Sequence, residues 1–418
     1  MREILLAASM AAFALPASGA DKGAVVSTYA DIAQAGYQDA LATARQLGTA
    51  IDALVAEPSA ETLEAAKAAW IRARVPYQQT EAFRFGNAIV DEWEGKVNAW
   101  PLDEGLIDYV DPVYGGATDE NPYAALNVVA NPKFTLSTGE VDATEITPAL
   151  LADTLQEADA IETNVATGYH AIEFLLWGQD LNGTGAGAGA RPWTDYARGA
   201  DCTGGNCDRR AAYLEAATDL LISDLEWMAG QWGADGDARR AVTANPDAGV
   251  VAILTGMGSL SYGELAGERM RLGLMLNDPE EEHDCFSDNT HNSHFYDGMG
   301  MRNVYLGQYV RVDGSIVEGP SASDLVAEAD PAVDADLRAA LDRSLIALGQ
   351  IKTAAEAGTA YDQMLAAGNA AGERLLMTAI DALVAQARSI ERAVSALSLE
   401  AIAFEGSDSL DNPDAVFQ

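Results

Sequence analysis

Positive charge is scarce in this chain. It carries 25 lysines and arginines against 64 aspartates and glutamates, a net charge of −39 over 418 residues. Nucleic acid and anionic lipid headgroups both need a basic patch, so neither is expected as a partner. The same acidity attracts cations or simply keeps a surface solvated. Long apolar runs are also missing: nothing approaches the roughly 20 consecutive apolar residues of a spanning helix. Alternating β-branched runs are few, which argues against a sheet-built fold. Catalytic signatures are absent too. There is no His-Glu-x-x-His, no His-x-x-Glu-His and no Gly-x-Ser-x-Gly elbow, so simple zinc-peptidase and serine-hydrolase readings lose their motifs.

Cysteine is limited to three residues and histidine to four. Cys202 and Cys207 flank a flexible Thr-Gly-Gly-Asn loop and are expected to form a small disulfide. A zinc site is the alternative, but no second cysteine pair or nearby histidine completes four ligands. Cys285 reads as a buried thiol. Arg2, an apolar run from Ile4 to Pro16 and the small residues Ala17 to Ala20 have the order of a secretory signal peptide, residues 1–20. Export is therefore expected. Arg2 and Glu3 cancel, so the net charge is unchanged by cleavage.

What is abundant is alanine and apolar residues at helical spacing. Residues 25–55, 60–84, 147–177, 208–230, 247–276, 323–350 and 369–404 all show it, and Thr147-Pro148 suits a helix start. An all-α fold follows, built as two helical-bundle domains, 21–235 and 236–405, ahead of an acidic tail, 406–418. Between the helices lie long structured loops, 86–146, 178–207 and 277–322, rich in Gly, Asn, Asp and Pro. Glu-x-x-Arg recurs at Glu81–Arg84 and Glu268–Arg271, a faint sign of duplication that ordinary ion pairs also explain.

His170 and Glu173 share one helix face in "GYHAIEFLLWGQD" and can meet one ligand or each other. Imidazole with carboxylate suits zinc and first-row transition metals, and added oxygen donors favour iron or manganese. Two donors make too few, and Glu81 on another helix is a candidate third. The neighbouring Phe174 to Trp177 are deeply apolar, so His170 is equally readable as a core histidine held by a carboxylate. The other three histidines cluster in "EEEHDCFSDNTHNSH", Glu280 to His294. That segment reads as a cation-binding loop, or as an acidic loop in which Asp288 or Asn289 caps the next helix.

Taken with "RPWTDY", "VPYQQTEAFRFG" and "NAWPLDEGLIDY", these motifs resemble the imelysin family and its iron-regulated protein A branch, along the whole mature chain. The resemblance implies a periplasmic, all-helical, duplicated protein linked to iron acquisition. Gly-x-His-x-x-Glu is its metal-binding element, and the family is also filed as metallopeptidases. His170 and Glu173 fall on that motif, with Gly168 allowing close approach, and Glu81 is the expected additional ligand. Arg84, Trp100, Asp103, Asp288 and His291 lie in other family segments expected to gather near it. The metal is iron or another divalent transition metal, zinc included, free or as an iron chelate. Outer-membrane or transport components are the expected protein partners. Two other readings stand beside iron binding: a metal-dependent peptidase, and a non-catalytic cell-envelope interaction protein. Ala360 to Leu365 is the counterpart of Gly168 to Glu173 in the second half.

Overall fold

Apolar residues at three- and four-residue spacing, closed by polar caps, set the long helices of this chain. A computed structural model describes residues 21–417, and the expected signal peptide lies outside them. Helix α1 (Lys22–Ala56) starts where the Asp21 side chain accepts the Gly23 amide. Helix α2 (Ala60–Gln78) starts at a Ser59–Thr62 capping box, a reciprocal pair that satisfies two otherwise orphaned groups. Further along come α3 (Gly168–Trp177), α4 (Cys207–Gln231), α5 (Pro246–Ser259), α6 (Thr290–Leu306), α7 (Pro331–Glu356) and α8 (Ala370–Ala396). Asn245 and Asp330 cap α5 and α7, each with proline in the first turn. The Cys202–Cys207 disulfide is present and closes the loop that enters α4.

In chain order the helices sort into two groups. Within the first, α1 packs on α2 and α4, and α3 fills the gap between α2 and α4; within the second, α8 packs on α7 and α5, and α6 on α7. The groups meet where α1 lies on α5 and α2 on α6. One continuous apolar core runs through both, from Tyr29 and Trp70 to Leu341 and Leu383. Two antiparallel hairpins, β1 (Lys133–Leu136) with β2 (Gly139–Asp142) and β3 (Gln308–Val310) with β4 (Ile316–Glu318), are the strands of the described residues. Among the described residues no helix is long and apolar enough to cross a membrane.

Two expectations are corrected. Residues 147–177 are not one helix: a short helical start at Pro148–Leu155 is followed by left-handed backbone at Glu157 and Asp159, and α3 begins only at Gly168. Residues 277–322 are not all loop, because α6 lies inside them. In addition to these, the acidic tail packs on the second helix group: Ser409 donates to the Gly267 carbonyl at 3.0 Å and Tyr262 to Asp411 at 2.6 Å.

Candidate metal centre

All ten residues of α3 are buried, the pattern of a helix apolar on every side except where a site needs otherwise. Its start is docked on a neighbouring segment. Tyr169 donates its amide to the Val97 carbonyl at 2.7 Å, and the Thr167 hydroxyl donates to the Lys96 carbonyl at 2.8 Å. Gly168 holds φ at +79°, and a Cβ there would lie 2.5 Å from the Val97 oxygen. The close approach that this glycine allows is thus between two backbones. One turn on, His170 and Glu173 point together into the seam between the helix groups.

Across the seam, the turn after Pro279–Glu281 brings His283 and Asp284 to meet them. One donor atom each from His170, His283 and Asp284 lies within 4.8 Å of the others, and all three residues are buried. The imidazole rings meet edge to face at 4.7 Å between centroids. His170 Nδ1 lies 3.0 Å from Glu173 Oε2 and 4.0 Å from Asp284 Oδ1. Ser287 fixes the other Glu173 oxygen, its amide donating at 3.0 Å and its hydroxyl at 2.6 Å. Arg74 of α2 donates to Asp284 Oδ1 at 2.8 Å, and Asn289 donates to Oδ2 at 2.7 Å. Every carboxylate oxygen of the centre therefore has a fixed direction.

The electrostatics keep the rings neutral. Burial first, then the Arg74 guanidinium, pushes His170 down to about 3. Burial, with Arg269 and His170 adding to it, holds His283 well below its ordinary value. Burial and the Asp284 charge push Glu173 well above the usual carboxylate range. Burial acts on Asp284 in the same sense, but the Arg74 guanidinium, helped by the hydrogen bonds from Ser293 and Asn289, outweighs it and keeps its carboxyl low.

Among the described residues, His170 Nε2 and both nitrogens of His283 have no hydrogen-bond partner. A buried polar atom left unpaired costs roughly 1–3 kcal/mol, so three in one dry spot need an explanation. Two imidazoles and a carboxylate, with Glu173 behind His170, fit a first-row transition metal. Glu173 then takes the place of the carboxylate that orients a ligating histidine from behind. His170, His283 and Asp284 would hold the ion.

The remaining expected residues are placed as follows. Trp100 joins the centre, its ring 5.8 Å from that of His283. Glu81 does not supply the additional donor: it pairs with Arg269 at 2.7 Å, and Arg269 also holds Glu264 and Asp297. Arg84 extends that ion network through Glu264, Glu94 and Asp91. Asp103 clasps a loop, accepting from Tyr114 at 2.9 Å and Thr163 at 2.7 Å. His291 lies against Asn292, and Asp288 lies outside the cluster of His170, His283 and Asp284, its carboxyl raised by burial and by the charges of Asp362 and Asp180. His283 and Asp284 sit inside the acidic histidine segment legible in the sequence. Arg74 and Ser287 had no sequence signal.

Fold and site together define an all-helical protein with a dry histidine–carboxylate centre at the seam of two helix groups. The family model for imelysin matches residues 33–390, and the chain belongs to the imelysin family. A curated relative, iron-regulated protein A of Synechococcus elongatus, is 41% identical over 71 residues, 17% of this chain and 20% of that protein. The matched stretch is thus a minor part of the curated relative. Two crystal structures share the fold. An iron-regulated protein A precursor from Parabacteroides distasonis superposes with a TM-score of 0.64 at 18% identity, covering 91% of this chain and 97% of that one. An imelysin-like protein from Psychrobacter arcticum superposes with a TM-score of 0.55 at 16% identity, covering 93% and 99%.

Proposed function

We propose that this protein binds a first-row transition metal, iron foremost, through His170, His283 and Asp284, and that it serves iron acquisition in the periplasm. The observation that carries the reading is the convergence of three buried donor residues, among which His170 Nε2 and both His283 nitrogens have no hydrogen-bond partner. Iron is favoured among the metals because the Synechococcus and Parabacteroides proteins carry an iron-regulated name. Export is supported by the signal-like order of the first twenty residues. Peptide hydrolysis needs a metal-bound water open to an extended chain. Donors with 0–2% exposure favour holding an ion over presenting it to a polypeptide.

The test is calorimetric titration of metal-free protein with ferrous iron under anaerobic conditions, and with zinc. Wild type is expected to bind one ion, and His283→Ala to lose at least about 100-fold in affinity. Equal affinity in wild type and His283→Ala overturns the assignment. A thermal melt of His283→Ala close to wild type shows that a loss is of ligand and not of fold.

A further inference from the structure

A second set of donors lies on the other face of the same turn. Glu282 precedes His283 in sequence, yet it points away from the histidine centre into a separate small cavity of about 10 Å³, shared with Asp180, Glu280 and Asp362. That is room for one water-sized occupant. Glu282 and Asp362 form its floor and are each only 1% exposed. Among the described residues, neither oxygen of Glu282 nor either oxygen of Asp362 has a hydrogen-bond partner of normal geometry. The Thr290 hydroxyl and the Gln363 amide are the polar groups beside them. Asp180, half-buried, and the exposed Glu280 complete the carboxylate lining, with Asp180 Oδ1 accepting from the Asn182 amide and side chain at 2.8 and 2.7 Å, and Asp288 Oδ1 nearby is also unpaired. No lysine or arginine lines the cavity.

Buried carboxylates are ordinarily paired or on a metal. Here two buried and two peripheral carboxylates surround one small space with no counter-charge in it. We propose that Glu282, Asp362, Asp180 and Glu280 form a second cation site, distinct from the histidine centre, which takes a hard divalent cation of the calcium class. The donor set decides the class. The four carboxylates offer oxygen and no imidazole, and the Cys285 thiol that also lines the space is pushed well above its ordinary value by burial and so offers no thiolate, which suits Ca²⁺ or Mg²⁺ rather than zinc or ferrous iron. Carboxylates that bind in one- or two-oxygen mode meet the flexible coordination of Ca²⁺. Mg²⁺ demands near-octahedral geometry and keeps several waters, which so small a cavity does not admit. The short helix Tyr361–Leu365 contributes Asp362.

The full mature chain, stripped with chelator, is to be titrated with CaCl₂ and with MgCl₂ at about 0.15 M KCl to screen the acidic surface. One saturable Ca²⁺ site is expected, with Kd below ~1 mM and weaker binding of Mg²⁺. Asp362→Asn and Glu282→Gln should each weaken Ca²⁺ at least about 10-fold and abolish the Ca²⁺-dependent rise in melting temperature. Because each replaces a buried, unpartnered carboxyl with a neutral amide of the same shape, their melting temperatures without Ca²⁺ should equal or exceed that of wild type. His170→Ala should keep wild-type Ca²⁺ affinity, which separates this site from the iron reading. The exposed double substitution Asp119→Asn with Glu120→Gln should keep it too. Absence of saturable Ca²⁺ binding, unchanged affinity in Asp362→Asn, or an equal loss in the exposed control overturns the proposal.

Discussion

His170 shows what a single side chain can and cannot disclose. Its i,i+3 spacing to Glu173 was readable in sequence, because a helix places those positions on one face. The direction in which His283, Asp284, Asp288 and His291 point was not, since all four lie close together in chain and only the turn geometry sorts them. In the metal-free state the neutral His170 ring and a protonated Glu173 share the 3.0 Å contact. A metal on the His170 ring requires Glu173 as a carboxylate, so binding should release about one proton at neutral pH. Calorimetry in buffers of different ionisation enthalpy reads that number, and Glu173→Gln should bring it close to zero while weakening the metal about 10–100-fold. At Gly168 a Cβ would meet the Val97 carbonyl in a left-handed backbone. Gly168→Ala should therefore cost about 2 kcal/mol or more in urea denaturation, an effect on the fold and not on ligand chemistry.

At the scale of the element, the long helices were legible because each buries one apolar stripe at a fixed period. The breaks were not. Residues 156–167 keep apolar spacing, yet Glu157 and Asp159 turn left-handed, and α3 starts afresh at Gly168, docked on Val97. Similarly, α6 has little amphipathic pattern: its buried positions include Thr290, Ser293, His294 and Asp297, so polar residues face inward where periodicity expects apolar ones. The stretch Leu260–Leu272 winds as a π-helix and presents Glu264 and Arg269 to the buried ion network; such widened turns often occur at functional places. The tie between elements that matters most is Arg74 of α2 on Asp284. Both are about 1% exposed or less. Arg74→Met should leave Asp284 as an unpaired buried charge and cost about 3–5 kcal/mol, and adding Asp284→Asn should recover much of it. A double-mutant cycle by chemical denaturation measures the coupling.

For the whole molecule, the two helix groups bury a polar layer between them, and that layer sets the pH response. Burial holds His170 and His294 at about 3 and His291 at about 4. The unfolded chain protonates these rings near 6.5, so acidification below that point draws the protein towards unfolding. Burial raises Glu94 and Asp288 to about 7 and Asp224 and Asp362 to about 6. The unfolded chain releases those protons near 4, so alkalinisation from there to neutrality also costs stability. With the self-repulsion of a −39 charge added, the metal-free protein should be more stable near pH ~5.5 than near pH ~8 or ~3.5. Urea midpoints across that range test it, and the melting-temperature gain from bound cations should be larger at the alkaline end. By itself the sequence determined the helical class, the disulfide and the His170–Glu173 pair, because each rests on contacts within a short span or on a repeating period. Only the tertiary structure decided that His283 and Asp284, rather than Glu81, lie beside His170. Their approach to His170 spans more than a hundred residues of chain and depends on how two helix groups meet, a packing relation that no local spacing encodes.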